Sequence, residues 1–311
     1  MRIVGRIVVV LVALVAALVA FDYLAPYKSA QLGLTLEQRR SGLEEAQASI
    51  PGFDMPYLHG GSGEPLILIH GFGAEKNNFT RVARFLTPHY RVVIPDLPGF
   101  GEASKPDTAT YTIAEQVERL RQFARGLGIE RAHLGGSSMG GFIATAWAAK
   151  YPDEVASLWL LDPGGTAAAY DSELRREYLK SGKILLVART PDEHAAVRAI
   201  AMARQPFLPY SFKKVLSERA AANYALHSAI FRQMNREAPL ESFVKDLAAP
   251  ALIVWGAEDR VLSPKGAEAM RALLPNSRVV IMPGIGHLPM IEAVRESAAD
   301  YLAFRQQLER P

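Results

Sequence analysis

Residues 133–141 read HLGGSSMGG, and residues 136–140 within them form the pattern G-x-S-x-G. A short apolar run precedes the pattern and a helix-forming stretch follows it, which is the strand–turn–helix context of a nucleophile elbow. The turn holds its central residue in a strained backbone conformation, and side chains two positions away would clash. The pattern therefore predicts Ser138 as a nucleophile. Ser137 is rejected, because the residue two positions after it is Met139 rather than glycine.

Short apolar runs recur along the chain on both sides of this turn. Runs that are apolar on both faces and separated by helices are typical of a buried parallel sheet. The sequence therefore predicts an α/β fold, a mostly parallel central sheet flanked by helices, with its chemistry at the carboxyl ends of the strands. The predicted strands are 65–70, 91–95, 133–135, 157–161, 251–255 and 278–282, and the clearest helices are 113–127 and 140–150.

The alternation of strands and helices breaks between residues 164 and 248, which are mostly helical in pattern. We expect this interval to be a helical cap or lid over the strand ends, with the α/β core formed by residues 51–163 and 249–311. Residues 184–187 (ILLV) and 206–210 (PFLPY) are candidates for an apolar pocket wall, although most such residues must form the cap's own core.

A serine nucleophile needs a general base. His287 follows the last predicted strand in the segment GIGHLP, residues 284–289, on a loop that can turn back over the sheet. His133 precedes the elbow inside its strand and is expected to be structural. His194 and His227 fall in the cap, where we expect them to be packed or exposed.

The base in turn needs a carboxylate that orients it and stabilises the imidazolium. Asp259 ends the segment WGAED, residues 255–259, after the preceding strand. It is favoured over Glu258, because the side chain of Glu258 would point in a different direction from the turn. The order Ser138, Asp259, His287 is the one expected for a nucleophile elbow on such a sheet. Asp162, at the end of another predicted strand, is the competing acid.

Backbone N–H groups must stabilise the oxyanion of a tetrahedral intermediate. One donor is predicted at Met139, directly after the nucleophile. The other is predicted at Phe72, in the loop HGFG, residues 70–73, after the first clear strand. The glycine-rich loop at residues 96–104 is expected only to shape the site.

The amino-terminal segment is strongly apolar. Residues 7–21 are fifteen consecutive apolar residues, and extending the run to residues 3–25 makes it long enough for a hydrocarbon core of about 30 Å. We expect residues 1–27 to form an uncleaved transmembrane anchor, with Arg2 and Arg6 favouring a cytoplasmic start. The alternative is a cleaved signal peptide, although no strict A-x-A site follows the run.

Two further features concern the anchor and the segment after it. Ala13 and Ala17, like Ala16 and Ala20, are small residues four positions apart, a spacing that lets two membrane helices approach closely. Residues 28–50 are expected to form a juxtamembrane helix, which residues 35–38 (TLEQ) would open as a capping box. That helix would either pack on the main domain or continue the membrane helix.

The overall composition is that of a globular protein. The chain has 311 residues, of which 49% are hydrophobic and 22% charged, and a net charge of +3, which excludes a disordered chain. Cysteine is absent, so the chain has no disulfide, thiol nucleophile or thiolate metal site. We find no basic stripe for nucleic acid and no H-E-x-x-H or clustered carboxylate site, and expect no metal or cofactor.

Together, the loop at 70–73, the segment 96–104, the elbow at 136–140, the segment 255–259 and Gly286-His287 resemble the α/β-hydrolase superfamily over residues 53–308. With the anchor, the chain more narrowly resembles the bacterial inner-membrane phospholipases A, which are carboxylesterases. That resemblance implies Ser138, Asp259 and His287 as the triad and Phe72 and Met139 as oxyanion donors. It also implies a membrane-bound homodimer that hydrolyses acyl esters of glycerophospholipids and lysophospholipids and short model esters.

The expected protein is thus a single-pass protein of the bacterial inner membrane with its catalytic domain in the periplasm. Its partners would be the phospholipid bilayer, an acyl-lipid substrate and a fatty-acid product. The main alternative is a generic carboxylesterase or lipase, exported and soluble if the segment is cleaved. A non-catalytic binding protein should have lost a triad member, whereas serine-dependent C–C bond hydrolases, haloperoxidases and thioesterases share these motifs.

Overall fold

The structure is a computed structural model that describes residues 2–308. Met1 and residues 309–311, the outer ends of the predicted anchor and core, lie outside the described residues. The side chain of Arg2, part of the predicted topology signal, also lies outside that description.

The centre of the molecule is an eight-stranded sheet. The strand order is β1-β2-β4-β3-β5-β6-β7-β8, with β1 and β2 antiparallel to their neighbours and every other pair parallel. All six predicted runs form strands, which confirms the predicted α/β fold with a mostly parallel sheet. The strands are β1 Glu44–Ile50, β2 Phe53–Gly60, β3 Pro65–Ile69, β4 Arg91–Pro95, β5 Ala132–Ser137, β6 Val155–Leu161, β7 Ala251–Gly256 and β8 Ser277–Met282.

Both faces of the sheet are covered by helices. Alternate residues of β3 enter opposite cores, with Ile67 and Ile69 in one and Leu66 and Leu68 in the other, as the twofold periodicity of a strand requires. The described helices are α1 Arg2–Leu24, α2 Pro26–Arg40, α3 Thr80–Ala83, α4 Ile113–Gly126, α5 Met139–Lys150, α6 Glu173–Ser181, α7 Pro191–Ala201, α8 Tyr210–Ala222, α9 Tyr224–Met234, α10 Gly266–Leu273, α11 Pro289–Glu292 and α12 Val294–Leu308. The helices α6 to α9 occupy the interval predicted as a cap.

The segment predicted as a juxtamembrane helix, residues 28–50, is only partly helical. The helix α2 begins at Pro26 and ends at Arg40, so residues 35–38 lie inside it, and the prediction that they open a helix is wrong. Glu44–Ile50 is an edge strand that forms a hairpin with β2 around Pro51 and Gly52. Its composition hid it, because the face turned to the core carries only Ala46, Ala48 and Ile50, which make a weak apolar pattern.

The helix α2 both continues the apolar helix and packs on the body. Hydrogen bonds from Ala25 N to Phe21 O and from Ser29 N to Ala25 O, each 2.9 Å, carry the helical ladder across the break. Tyr23 stacks on Tyr210 of α8 with ring centroids 4.4 Å apart. The segment therefore both continues the apolar helix and packs on the body, and the carboxyl end of α1 contacts α8.

A buried lysine joins the loop after β3 to the loop after β4. Lys76 is 1% exposed, and its Nζ lies 3.0 Å from Asp96 Oδ2 and 2.6 Å from Glu102 Oε2. Burial alone would lower the pKa of Lys76, but the attraction of Asp96 and Glu102 outweighs it and raises that pKa above its usual value. The lysine therefore stays charged and fixes the two loops to each other.

Replacing Lys76 with methionine should lower the free energy of unfolding by about 3–5 kcal/mol, because it leaves the fully buried Asp96 without its cation. Urea unfolding followed by circular dichroism would measure the change. The matched control is Lys265→Met, since Lys265 pairs with Asp171 at the surface and should leave the midpoint nearly unchanged. Equal midpoints for both variants would contradict a structural role for Lys76.

Candidate active site

Ser138 lies at the tight turn between β5 and α5. Its backbone has φ 56° and ψ −115°, a left-handed φ that is strained for a residue with a Cβ. The flanking glycines are sterically required: a Cβ on Gly136 would lie 2.3 Å from Gly140 O, and a Cβ on Gly140 would lie 2.0 Å from Ile69 O. The local geometry is therefore that of the predicted elbow.

His287 and Asp259 form a buried hydrogen-bonded pair. The distance between His287 Nδ1 and Asp259 Oδ2 is 2.7 Å, and the side chains are 6% and 0% exposed. Asp259 Oδ1 accepts the backbone N–H groups of Val261 at 2.8 Å and Leu262 at 3.0 Å. Those donors keep the carboxylate in place, and it binds the Nδ1–H tautomer of His287, which leaves Nε2 free to accept a proton.

Ser138 and His287 line one cavity of about 280 Å³. No hydrogen bond joins their side chains within residues 2–308, and such contacts are often long before substrate binds. A second cavity of about 450 Å³ also reaches Ser138, and Phe72, Leu186 and Val261 border both cavities. The site thus opens into two spaces that meet at the serine.

The loop at residues 70–73 lies against the serine. A Cβ on Gly71 would lie 3.1 Å from Ser138 Cβ, so only glycine allows this approach without displacement. The ring of Phe72 packs edge-on against Phe100, with centroids 5.6 Å apart. Met139 N–H belongs to the first turn of α5, where helix N–H groups lack an intrahelical acceptor. The roles of Phe72 and Met139 as oxyanion donors remain predictions.

His70 holds this loop in place, a structural role that was not predicted for it from the sequence. Its Nε2 accepts the N–H of Leu97 at 3.0 Å, which leaves Nδ1 as the donor to Gly71 O at 2.8 Å. Burial lowers the pKa of His70, so the ring stays neutral and keeps that donor–acceptor arrangement. The sequence shows a histidine at the start of the segment HGFG, but it does not show that the ring bonds the loop after β4, because that loop is distant in the chain.

Asp162, the competing acid, does not hydrogen-bond to His287. It is fully buried at the end of β6, and its Oδ1 accepts Gly256 N–H at 2.9 Å. Burial and then the charge of Asp259 raise the pKa of Asp162 well above its ordinary value. The structure places Asp259, and not Asp162, on the histidine.

Asp162, Asp259 and His287 also form a set of potential metal-ligand atoms, all within 4.8 Å of one another. Both oxygens of Asp259 already accept N–H groups, and its Oδ2 is bonded to His287. A cation would have to displace that bond. The donor set therefore fits a carboxylate–histidine pair better than a metal centre.

Three further histidines were considered from the sequence, and the structure makes one structural and places two at the cavity. His133 bonds Ser157 and Glu64, which agrees with its predicted structural role. His194 and His227 both line the cavity that contains Ser138, a position the sequence could not reveal because the direction of cap helices is set by tertiary packing. Burial lowers the pKa of His227 to about 4, so it is neutral at pH 7.

The predicted pocket-wall segments lie partly at these cavities. Leu186 and Val187 line the first cavity, and Leu186 also lines the second. Pro206 and Leu208 line the first cavity as well, whereas Phe207 between them is 86% exposed. Apolar cap side chains therefore cover the space next to Ser138.

Comparisons with known proteins agree with this geometry. A family profile described as the alpha/beta hydrolase fold matches residues 64–294. Lipase 3 of Moraxella sp. (strain TA144) is 38% identical over 88% of this chain and 88% of its own. A crystal structure of a membrane phospholipase A, described as a bacterial virulence factor, has a TM-score of 0.89 at 41% identity and covers 99% of this chain and 100% of its own. The putative lipase lip1 from Acinetobacter baumannii AYE has a TM-score of 0.83 at 30% identity, with 90% and 96% covered.

The substitution Gly140→Ala should disrupt the elbow, because its Cβ would overlap the backbone oxygen of Ile69. We expect a loss of at least about 1–3 kcal/mol of stability, measured by thermal unfolding. The matched control is Gly126→Ala at the end of α4, where a Cβ meets nothing within 4 Å and should stabilise by roughly 0.5–1 kcal/mol. A Gly140→Ala protein as stable as the parent would contradict the close approach.

Proposed function

The chain belongs to the α/β-hydrolase family, and we propose that it is a serine hydrolase that cleaves acyl esters of membrane lipids. The observation that carries the proposal is the buried His287–Asp259 pair, which shares a cavity with Ser138 at a strained elbow. The preferred substrates are glycerophospholipids and lysophospholipids, and the catalytic residues are Ser138, Asp259 and His287.

In the first half-reaction, Ser138 Oγ attacks the ester carbonyl carbon while His287 Nε2 takes its proton. The negative charge that develops on the carbonyl oxygen is stabilised by the N–H groups of Phe72 and Met139. The tetrahedral intermediate then collapses, and His287 gives the proton to the departing alcohol, which leaves an acyl ester on Ser138.

In the second half-reaction, water replaces the alcohol. His287 Nε2 removes a proton from the water as its oxygen attacks the acyl carbon, and the same N–H groups stabilise the second oxyanion. Collapse releases the fatty acid and returns the proton to Ser138. Asp259 stabilises the imidazolium in both halves.

Two observations support a lipid substrate. Apolar cap residues, including Leu186 and Leu208, line the space around Ser138, which suits an acyl chain. The relatives include proteins named lipases and one named a membrane phospholipase A. We propose that residues 164–248 act as the cap over this space and that residues 51–163 and 249–311 form the catalytic core.

The amino-terminal helix supports a location at the bilayer. Residues Arg6–Leu24 are long and apolar enough to cross a membrane, and none of that span is buried against the rest of the protein. Holding a lipid hydrolase there raises the local concentration of its substrate. We propose a single-pass inner-membrane anchor with the catalytic domain in the periplasm, and pairing of two copies through Ala13/Ala17 and Ala16/Ala20.

Full-length protein extracted from membranes should keep its amino-terminal segment, because the apolar run lacks a strict cleavage site. Amino-terminal sequencing would test this, and a start near Phe21 would contradict the anchor.

Ala17→Leu should reduce chemical crosslinking between copies if the small faces pack together, while Leu14→Ala is the control that adds no bulk.

The Ser138→Ala variant tests the reaction and the substrate together. Fatty-acid release by detergent-solubilised protein is measured on a phospholipid, the matching lysophospholipid and a short-chain ester. We expect the variant to lose activity on all three by roughly 10⁴–10⁶-fold, because the nucleophile is gone. Ser137→Ala is the matched control, since Ser137 Oγ is buried without a hydrogen-bond partner among the described residues.

The set of substrates that the parent hydrolyses distinguishes a phospholipid hydrolase from a generic carboxylesterase or lipase. Activity confined to the short ester would retain Ser138 as the nucleophile and favour a generic carboxylesterase or lipase. Equal activity of the parent and the Ser138→Ala variant would refute the nucleophile assignment.

A further inference from the structure

The carboxyl group of Asp162 contains an oxygen that the mechanism does not use. Asp162 is 0% exposed and has φ 45°, and its backbone N–H donates to Val254 O at 2.8 Å. Its Oδ1 accepts Gly256 N–H, but its Oδ2 receives no donor from residues 2–308. A fully buried carboxylate with one bare oxygen is costly, so this group needs either a donor or a proton.

A second acid lies beside this carboxyl. One oxygen of Asp162, one oxygen of Asp259 and one nitrogen of His287 all lie within 4.8 Å of one another. Glu292 is the other acidic group that acts on Asp162, and its oxygens accept the N–H groups of Gly286 and Leu288. Asp259 lies in the loop after β7, His287 lies in the loop after β8, and Glu292 belongs to α11.

Two ionised carboxylates cannot share a dry site, so one of the pair must hold a proton. Asp259 accepts two backbone N–H groups and the His287 N–H, all of which favour its charged form. Asp162 accepts one backbone N–H, and burial followed by the Asp259 charge raises its pKa. The proton therefore belongs on Asp162, where it also fills the bare position on Oδ2.

We propose that Asp162 holds a proton on Oδ2 and donates it in a hydrogen bond to the Asp259 carboxylate, so that it moderates how strongly Asp259 stabilises the His287 imidazolium. Asp162 is thus a positioning residue that acts through Asp259. The inference rests on the proposed triad, because it assigns to Asp162 an effect on the base of that triad.

The hydrogen bond has a definite electrostatic sign. A donor to Asp259 withdraws charge from that carboxylate and weakens its attraction for the His287 imidazolium. Removal of the donor should strengthen that attraction. Replacement of the acid by an amide should leave the attraction unchanged, because the amide N–H can donate to Asp259 while its oxygen accepts Gly256 N–H.

The test compares Asp162→Asn and Asp162→Ala with the parent in pH profiles of kcat/KM. A soluble short-chain ester is the substrate, so the result does not depend on lipid preference. We expect the acidic limb of Asp162→Asn to coincide with that of the parent. The limb of Asp162→Ala should move to higher pH by roughly half a unit to one unit.

Two outcomes would overturn the proposal. If Asp162 is ionised in the parent, Asp162→Asn removes a negative charge beside His287, and its acidic limb moves to lower pH. If Asp162 serves only to pack the end of β6, both variants lower kcat and neither moves the limb.

Infrared spectroscopy gives a readout that needs no activity and that remains available if the alanine variant fails to fold. In a carbonyl-free alkyl glycoside detergent, the parent at pH 7 should show the C=O stretch of a protonated carboxylic acid that is absent from Asp162→Asn. Identical spectra in that region would overturn the proposal. A Ser138→Ala protein that keeps both the band and full activity would refute the proposed nucleophile and leave the proton on Asp162 standing.

Discussion

The close approach of backbone to backbone at the ends of the parallel strands is the constraint on which the site depends. The chain passes Gly136 and Gly140 at distances that admit no side chain, and a Cβ on Gly256 would lie 1.9 Å from Gly286 O. These contacts place the end of β5 beside the end of β3, and the loop after β7 beside the loop that holds His287. Backbone packing thus positions the loops that carry Ser138, His287 and Asp259.

Hydrogen bonds and ion pairs of buried polar groups hold in place the loops that backbone packing brings together. His70 joins two loops through one neutral ring, and Lys76 joins the same region through charge. Asp259 accepts two backbone N–H groups as well as His287. Each of these groups is shielded from water, where an unmet hydrogen bond is expensive, so the arrangement tolerates few alternatives. Rigidity at the site follows from satisfied polar groups as much as from apolar packing.

The parts of this structure that could be predicted from the sequence are those with a local cause. The strands β3 to β8 contain apolar runs, and the elbow glycines are required by a local turn, so both were predicted, the strands with ends within two residues of the observed ones. The strand β1 was missed because its outer face is polar and its inner face carries only two alanines and Ile50, and the turn at Pro51 and Gly52 was the one local signal of the hairpin. The cavity positions of His194 and His227, and the proximity of Asp162 to Asp259, depend on how distant elements pack, which no local pattern contains.

The route by which α2 crosses the molecule has a mechanical consequence. The residues at the junction of α1 and α2 are tied to the cap, since Tyr23 stacks on Tyr210 and Ser211 N–H donates to Asp22. The other end of α2 is tied to the core through a hydrogen bond of 2.9 Å from Gln38 to Asn77. The helix α8 that receives the contacts from α1 also lines the cavity at Ser138 through Leu216 and Ala220. A tilt of the apolar helix would therefore displace a wall of that cavity through the contacts at Asp22 and Tyr23.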